Sequence, residues 1–220
     1  MSGTPVRVSW VFDVISPFAY LALPRLAQLP AGAQLQPVPV LLAALLDHFG
    51  QRGPAEIASK RRFTYRFALW RARRLGLPMR LPPAHPFNPL AALRLIIAAG
   101  SDQHAAATVL NAVFRDGRDV NDPAVIAALG AELGVEDPQA TVNDPTIKQR
   151  LRDNTAWAIE HGVFGVPALV IGTELFWGHD AVDMAFDYLA DPEEFLDPAM
   201  RAADALPIGA ARAQRQGTMS

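Results

Sequence analysis

From Val6 to Val14 the chain reads VRVSWVFDV, a run dense in β-branched and aromatic residues that predicts a buried strand. Ser16 and Pro17 end it, and they are strong start signals for a helix: Ser at the N-cap and Pro at the first helical position. Phe18 to Leu29 continues with helical spacing, and residues 33–40, AQLQPVPV, read as a second strand. After this β-α-β beginning the pattern changes. Apolar positions recur at helical spacing with few β-branched runs, which predicts helices near 41–49, 54–75, 89–99, 102–116, 123–134 and 145–161. The segment GLPMRLPPAHPFNP holds five prolines and must be a long loop packed over something. Strand character returns at Ala168–Ile171 and Leu175–Trp177, joined by Gly172, Thr173 and Glu174 in a hairpin-like connection. A last helix is expected from near His179 to Leu189. The order predicts an α/β fold with one sheet assembled from both ends of the chain and a helical block inserted between them.

Composition narrows the chemistry. With 220 residues, half of them apolar, the chain can bury a sizeable core. Lysine and arginine total 20 against 22 acidic residues, so there is no global attraction to nucleic acid or anionic lipid. No apolar run approaches the roughly eighteen residues of a membrane span, and the amino end lacks the order of a signal peptide, so a cytoplasmic location is expected. There is no cysteine. Disulfides, thiolate metal ligands and a protein-borne thiol nucleophile are excluded, and any sulfur chemistry must come from a ligand. The five histidines share no metal-ligand spacing, so no metal is expected.

Three places invite a functional reading: Asp13–Tyr20, Gly50–Pro54 and Gly162–Asp180. Ser16 is explained by capping alone, yet a hydroxyl at the positive end of a helix is also suited to an anion such as a thiolate. Pro167 is acceptable as the first residue of a strand. A cis Val166–Pro167 bond would turn the N–H and C=O of Val166 toward an extended peptide ligand. Gly178, His179 and Asp180, read as a helix opening, would offer N–H groups to a carboxylate and Asp180 to an ammonium. Glutathione has two carboxylates, an ammonium and a cysteinyl backbone, so the three places match its parts.

The runs FDVISPFAYLA, KRRFTYRFALWRARRLGLP and GVFGVPALVIGTELFWGHD, in this order and spanning about residues 6 to 190, resemble the 2-hydroxychromene-2-carboxylate isomerases, relatives of the kappa-class glutathione transferases. The resemblance implies a homodimer and a thioredoxin-like domain with an all-helical insertion, which the order of elements places at residues 1–40 and 162–205 and at 41–161; the small, polar residues 206–220 read as a poorly ordered tail. The resemblance also implies glutathione as cofactor and a small aromatic acid as substrate. Ser16 would be the catalytic residue, holding the glutathione sulfur where disulfide oxidoreductases place their reactive cysteine. Val166 and Pro167 would meet the cysteinyl backbone, and Trp177, Gly178, His179 and Asp180 the γ-glutamyl end. The substrate would lie near Asp47, Gln51, Arg52 and Asn88. At Asp47 the family carries a lysine, and a carboxylate there would repel an anionic substrate. In the family's isomerases the thiolate adds to a conjugated carbon, the bond rotates, and elimination releases the trans product.

The amphipathic basic run from Lys60 to Arg74 reads as a solvated face, and Lys60 or Arg61 in it would also suit the glycyl carboxylate. Trp70 and Trp157 are expected in the core, while Phe18 and Tyr20 suit the wall of an aromatic pocket. Besides the isomerase, two other functions fit: a kappa-like transferase or peroxidase, and a cysteine-free thioredoxin-like module that binds extended peptides at the Pro167 edge.

Overall fold

The computed structural model describes residues 4–210. Strand β1 (Val6–Phe12) lies at the centre of a four-stranded sheet of order β2-β1-β3-β4, with β2 spanning Ala33–Pro39, β3 Ala168–Ile171 and β4 Glu174–Trp177. β1 runs parallel to β2, from Val6 opposite Ala33 to Phe12 opposite Pro39. It runs antiparallel to β3, with Ser9 opposite Val170 and Val11 opposite Ala168. The sheet is therefore closed by the two ends of the chain, as the order of predicted elements implies.

β1 lacks an alternating pattern because both its faces are covered. Val8, Trp10 and Phe12 join one apolar cluster with helix α1 (Pro17–Leu26), and with α4 (Leu90–Ala98), α5 (Gln103–Phe114) and α6 (Pro123–Glu132) of the helical block. Val11 faces the other way, with Val38, Val40, Leu45 of α2 (Leu42–His48) and Ala158 of α8 (Pro145–Glu160). Helical block and sheet thus share a continuous core.

Several boundaries differ from the sequence reading. β1 stops at Phe12 because Asp13 turns the chain, its carbonyl accepting from Ser16 N. The helix expected over 54–75 is two pieces, a 3-10 turn at Pro54–Glu56 and α3 at Ala58–Arg74, separated by extended Ile57. The Glu56 carboxylate folds back to accept from Gly53 N, which closes the turn and interrupts the helix. Short helices α7 (Pro138–Thr141) and α10 (Pro198–Asp204) are additional; both are capped by an aspartate and opened by a proline. Trp70 is not in the core. It is 52% exposed and stacks on Phe67, because α3 docks through the small residues Ala68 and Ala72. Residues 206–210 of the expected tail are exposed without regular structure, and its remainder, 211–220, lies outside the described residues. Among the described residues no helix is long and apolar enough to cross a membrane.

The last major helix, α9, begins at Val182, not near His179. Gly178 has a positive φ of 105° and its N–H extends the hairpin ladder by donating to Pro167 O at 2.9 Å. Residues 178–180 are thus a turn leaving the sheet, and their N–H groups are not a helix N-terminus.

Candidate active site

Ser16 occupies the N-cap position of α1, but its hydroxyl makes no cap bond. It instead donates to the carbonyl of Val166 at 3.3 Å, a long bond between residues 150 apart in sequence. The Val166–Pro167 peptide is cis. Among the described residues the Val166 N–H has no acceptor within the protein. Gly165 lets the neighbouring backbone lie close to the Trp177 indole, since a Cβ there would come within 2.8 Å of Nε1. Trp177 in turn packs on Phe164, ring centres 5.0 Å apart.

These groups form one end of a largely apolar cavity of about 460 Å³, a size usual for small-molecule sites. Its remaining walls come from the β1–α1 turn with Phe18, from α2 and the 51–56 segment, from α3, and from the proline-rich loop, which contributes His85, Pro86, Phe87 and Pro89.

Asp13 is wholly buried at the cavity wall. Its two carboxylate oxygens accept from Ile15 N at 3.0 Å and Leu42 N at 2.9 Å, tying the Ser16 turn to the start of α2. Burial pushes this carboxyl up to about 7, and the two N–H bonds oppose the rise. His85 places Nε2 2.7 Å from the Ile15 carbonyl and Nδ1 2.7 Å from the Tyr65 hydroxyl. Burial lowers its pKa, against a smaller upward pull from the Ile15 bond, so the ring is neutral at pH 7. His179 has a side chain only 7% exposed, stacked on Phe18 with ring centres 5.3 Å apart, and accepts from Arg71 Nε at 3.3 Å. Burial lowers its pKa too, with Asp180 raising and Arg71 lowering it.

Of the residues singled out in the sequence, Ser16, Val166, Trp177, Gln51 and Arg52 line this cavity. Pro167 and Gly178 stand behind its edge, joined by their backbone bond. His179 supports Phe18 from beneath, and Asp180 lies beyond with its side chain 76% exposed. Asp47 is outside the cavity lining and exposed. Leu46 faces the cavity, and the next helical residue is turned about 100° away. Asn88 is also elsewhere: its Oδ1 accepts from Leu90 N at the start of α4, beside a separate cavity of about 180 Å³. Lys60 reaches the wall and Arg61 does not. Phe18 lines the cavity as expected, whereas Tyr20 is buried away from it, donating to Pro78 O.

Three further groups, Asp13, Tyr65 and His85, escaped a role in the sequence reading. An acid closing an apolar strand is a signal for the first. For His85 the only signal is an ionisable side chain inside a proline-rich loop, and Tyr65 has none.

The fold is that of the DSBA-like thioredoxin domain, which matches residues 7–190, and the chain belongs to this family and, within it, to the kin of the 2-hydroxychromene-2-carboxylate isomerases and kappa glutathione transferases. It is 30% identical over 189 residues to the 2-hydroxychromene-2-carboxylate isomerase of Pseudomonas putida, covering 80% of this chain and 91% of that one. It is 24% identical over 207 residues to glutathione S-transferase kappa 2 of Caenorhabditis elegans, covering 84% and 92%. Among solved structures, a selenomethionine 2-hydroxychromene-2-carboxylate isomerase superposes with a TM-score of 0.75 at 26% identity, over 87% of this chain and 99% of the other.

Proposed function

We propose that the cavity holds glutathione with its sulfur at Ser16, and that the protein is a glutathione-dependent isomerase of 2-hydroxychromene-2-carboxylate or a related conjugated aromatic acid. One observation carries the reading: in a chain without cysteine, the Ser16 hydroxyl and a Val166 N–H with no acceptor among the described residues meet at the wall of an apolar cavity. The residues fit the tripeptide. Val166 would pair with the cysteinyl backbone beside Pro167, Trp177 to Asp180 would flank the γ-glutamyl end, and Lys60 would meet the glycyl carboxylate. When bound, glutathione supplies a thiolate that adds reversibly to a conjugated carbon and so frees a double bond to rotate.

The work of the protein is to make that thiolate available and keep water from it. The Ser16 hydroxyl exchanges its long bond to Val166 O for one to the sulfur, a charge-assisted bond that is stronger. The N-terminus of α1 favours the same negative charge. Apolar walls from Phe18, Leu46 and Phe87 exclude water and hold an aromatic ring by area.

Calorimetric titration of glutathione into the wild type and Ser16→Ala, with a spectroscopic isomerisation assay alongside, tests the reading. Binding to the wild type and a loss of roughly 100-fold in turnover for Ser16→Ala is the expected result, the size usual for one lost donor to a developing or fixed anion. No binding to the wild type would end it and leave the peptide-binding module. Binding without isomerisation would favour a kappa-type transferase, the activity in the name of the nematode relative.

A further inference from the structure

The cavity wall beside the Ser16 turn contains a hydrogen-bonded pair whose direction follows from its partners. The Ile15 carbonyl can only accept, so His85 Nε2, 2.7 Å away, must carry the proton of the neutral ring. His85 Nδ1 then has a lone pair, and the Tyr65 hydroxyl at 2.7 Å is its donor. Among the described residues the other hydrogen-bond partner of that hydroxyl is the His85 carbonyl at 3.0 Å, which is again an acceptor. Tyr65 has a single proton, and either way it is committed to His85. What remains for a ligand is the phenolic oxygen as an acceptor.

Both residues line the cavity, and the pair is held from two sides. His85 packs edge-on against Tyr65 and Phe87, with ring centres 5.1 and 5.6 Å apart, and its bond to Ile15 fixes it to the residue before Ser16. The cations on the wall are separate. Arg52 is engaged with Glu56, its Nη2 donating to the Glu56 carbonyl at 3.1 Å, while Lys60 makes no ion pair among the described residues.

We propose that the Tyr65–His85 pair is a specificity determinant that reads the hydroxyl group of the aromatic substrate through the phenolic oxygen of Tyr65. A site that presents an acceptor rewards a ligand donor and disfavours a carboxylate in the same place, because two acceptors cannot share a proton that neither has. The position of the pair next to the Ser16 turn sets the distance between the hydroxyl and the reacting carbon. The inference rests on the proposed substrate cavity but not on glutathione.

The test compares 2-hydroxycinnamate with cinnamate, which differ only by the hydroxyl, as calorimetric ligands of the full chain at pH 7, with and without glutathione. The wild type is expected to bind 2-hydroxycinnamate roughly five- to tenfold more tightly, the worth of one neutral hydrogen bond. In Tyr65→Phe this preference is expected to vanish, while cinnamate binds as it does to the wild type, which also shows that the variant is folded. His85→Gln, which removes the acceptor that orients the tyrosine proton, is expected to reduce the preference without abolishing cinnamate binding. Equal affinity of the wild type for the two acids, failure of both to bind, or a preference kept by Tyr65→Phe would overturn the inference. A hydroxyl preference in a protein that never binds glutathione would uphold it and overturn the proposed isomerase instead.

Discussion

At the end of the cavity nearest the sheet, recognition is mostly a matter of backbone: the Val166 N–H and C=O, the Gly165 approach, the ladder bond from Gly178 to Pro167. On the side formed by the helical block it is a matter of side chains, Tyr65, His85, Arg52 and Lys60, carried by α3 and two irregular segments. The first end is set by strand pairing, which leaves few degrees of freedom once β1, β3 and β4 are in register. The second depends on how helices and a proline-rich loop pack. A backbone-built end tolerates sequence change and keeps a constant ligand, whereas a side-chain end can be re-specified residue by residue. That is the division expected of a shared thiol cofactor and a variable substrate.

Asp13 joins the two ends, and altering it tests their coupling with the largest effect. Asp13→Ala leaves the N–H groups of Ile15 and Leu42 without their acceptor. At about 1–3 kcal/mol each, the loss is roughly 2–6 kcal/mol, a fall of roughly 5–20 °C in Tm for a chain of this size. The charge adds a pH dependence. The carboxyl rises from 3.8 to about 7 on folding, so the folded state binds the proton more tightly than the unfolded one. Its contribution to stability is therefore fully present below about pH 4 and is lost as pH rises through 7. Compared with Asp13→Asn, the wild type should lose on the order of 4 kcal/mol across that window in denaturant melts. A constant difference between the two proteins would show that the carboxyl is not raised.

Gly165→Ala probes the backbone end alone. Its new methyl must displace the Trp177 indole, so glutathione affinity should fall about three- to tenfold, the worth of one disturbed contact, with Tm little changed. An unchanged affinity would remove Trp177 from the thiol end. The smallest effect belongs to Asp47→Asn. Because that side chain is exposed and off the cavity wall, solvent screens it, and KM for an anionic aromatic substrate should change by less than about twofold. A large fall in KM would restore Asp47 to the substrate end.

How legible each end was in the sequence follows the same division. The thiol end could be read because its parts lie in two short contiguous runs, Asp13–Tyr20 and Gly162–Asp180, where turn residues and strand endings leave local signatures. Even there the reading of Gly178–Asp180 as a helix start failed, since a ladder bond to Pro167 outcompetes helix initiation. The side-chain end was poorly legible. Asp47 and Leu46 are adjacent in sequence yet only Leu46 lines the cavity, and Asn88 spends its amide oxygen on a local bond to Leu90 N. Nothing local marks Tyr65 and His85 as a pair, because what joins them is contact across 20 residues.

The sequence by itself determined the β-α-β start, the helical block, the closing hairpin and the absence of a protein thiol, because periodicity, turn chemistry and composition are local quantities. It also marked Ser16. Only the tertiary structure decided what the Ser16 hydroxyl bonds to, that Asp13 is buried between two donors, and that the Tyr65 hydroxyl is hydrogen-bonded to His85. Those are properties of burial and of hydrogen-bond direction, and neither exists until distant segments are packed together.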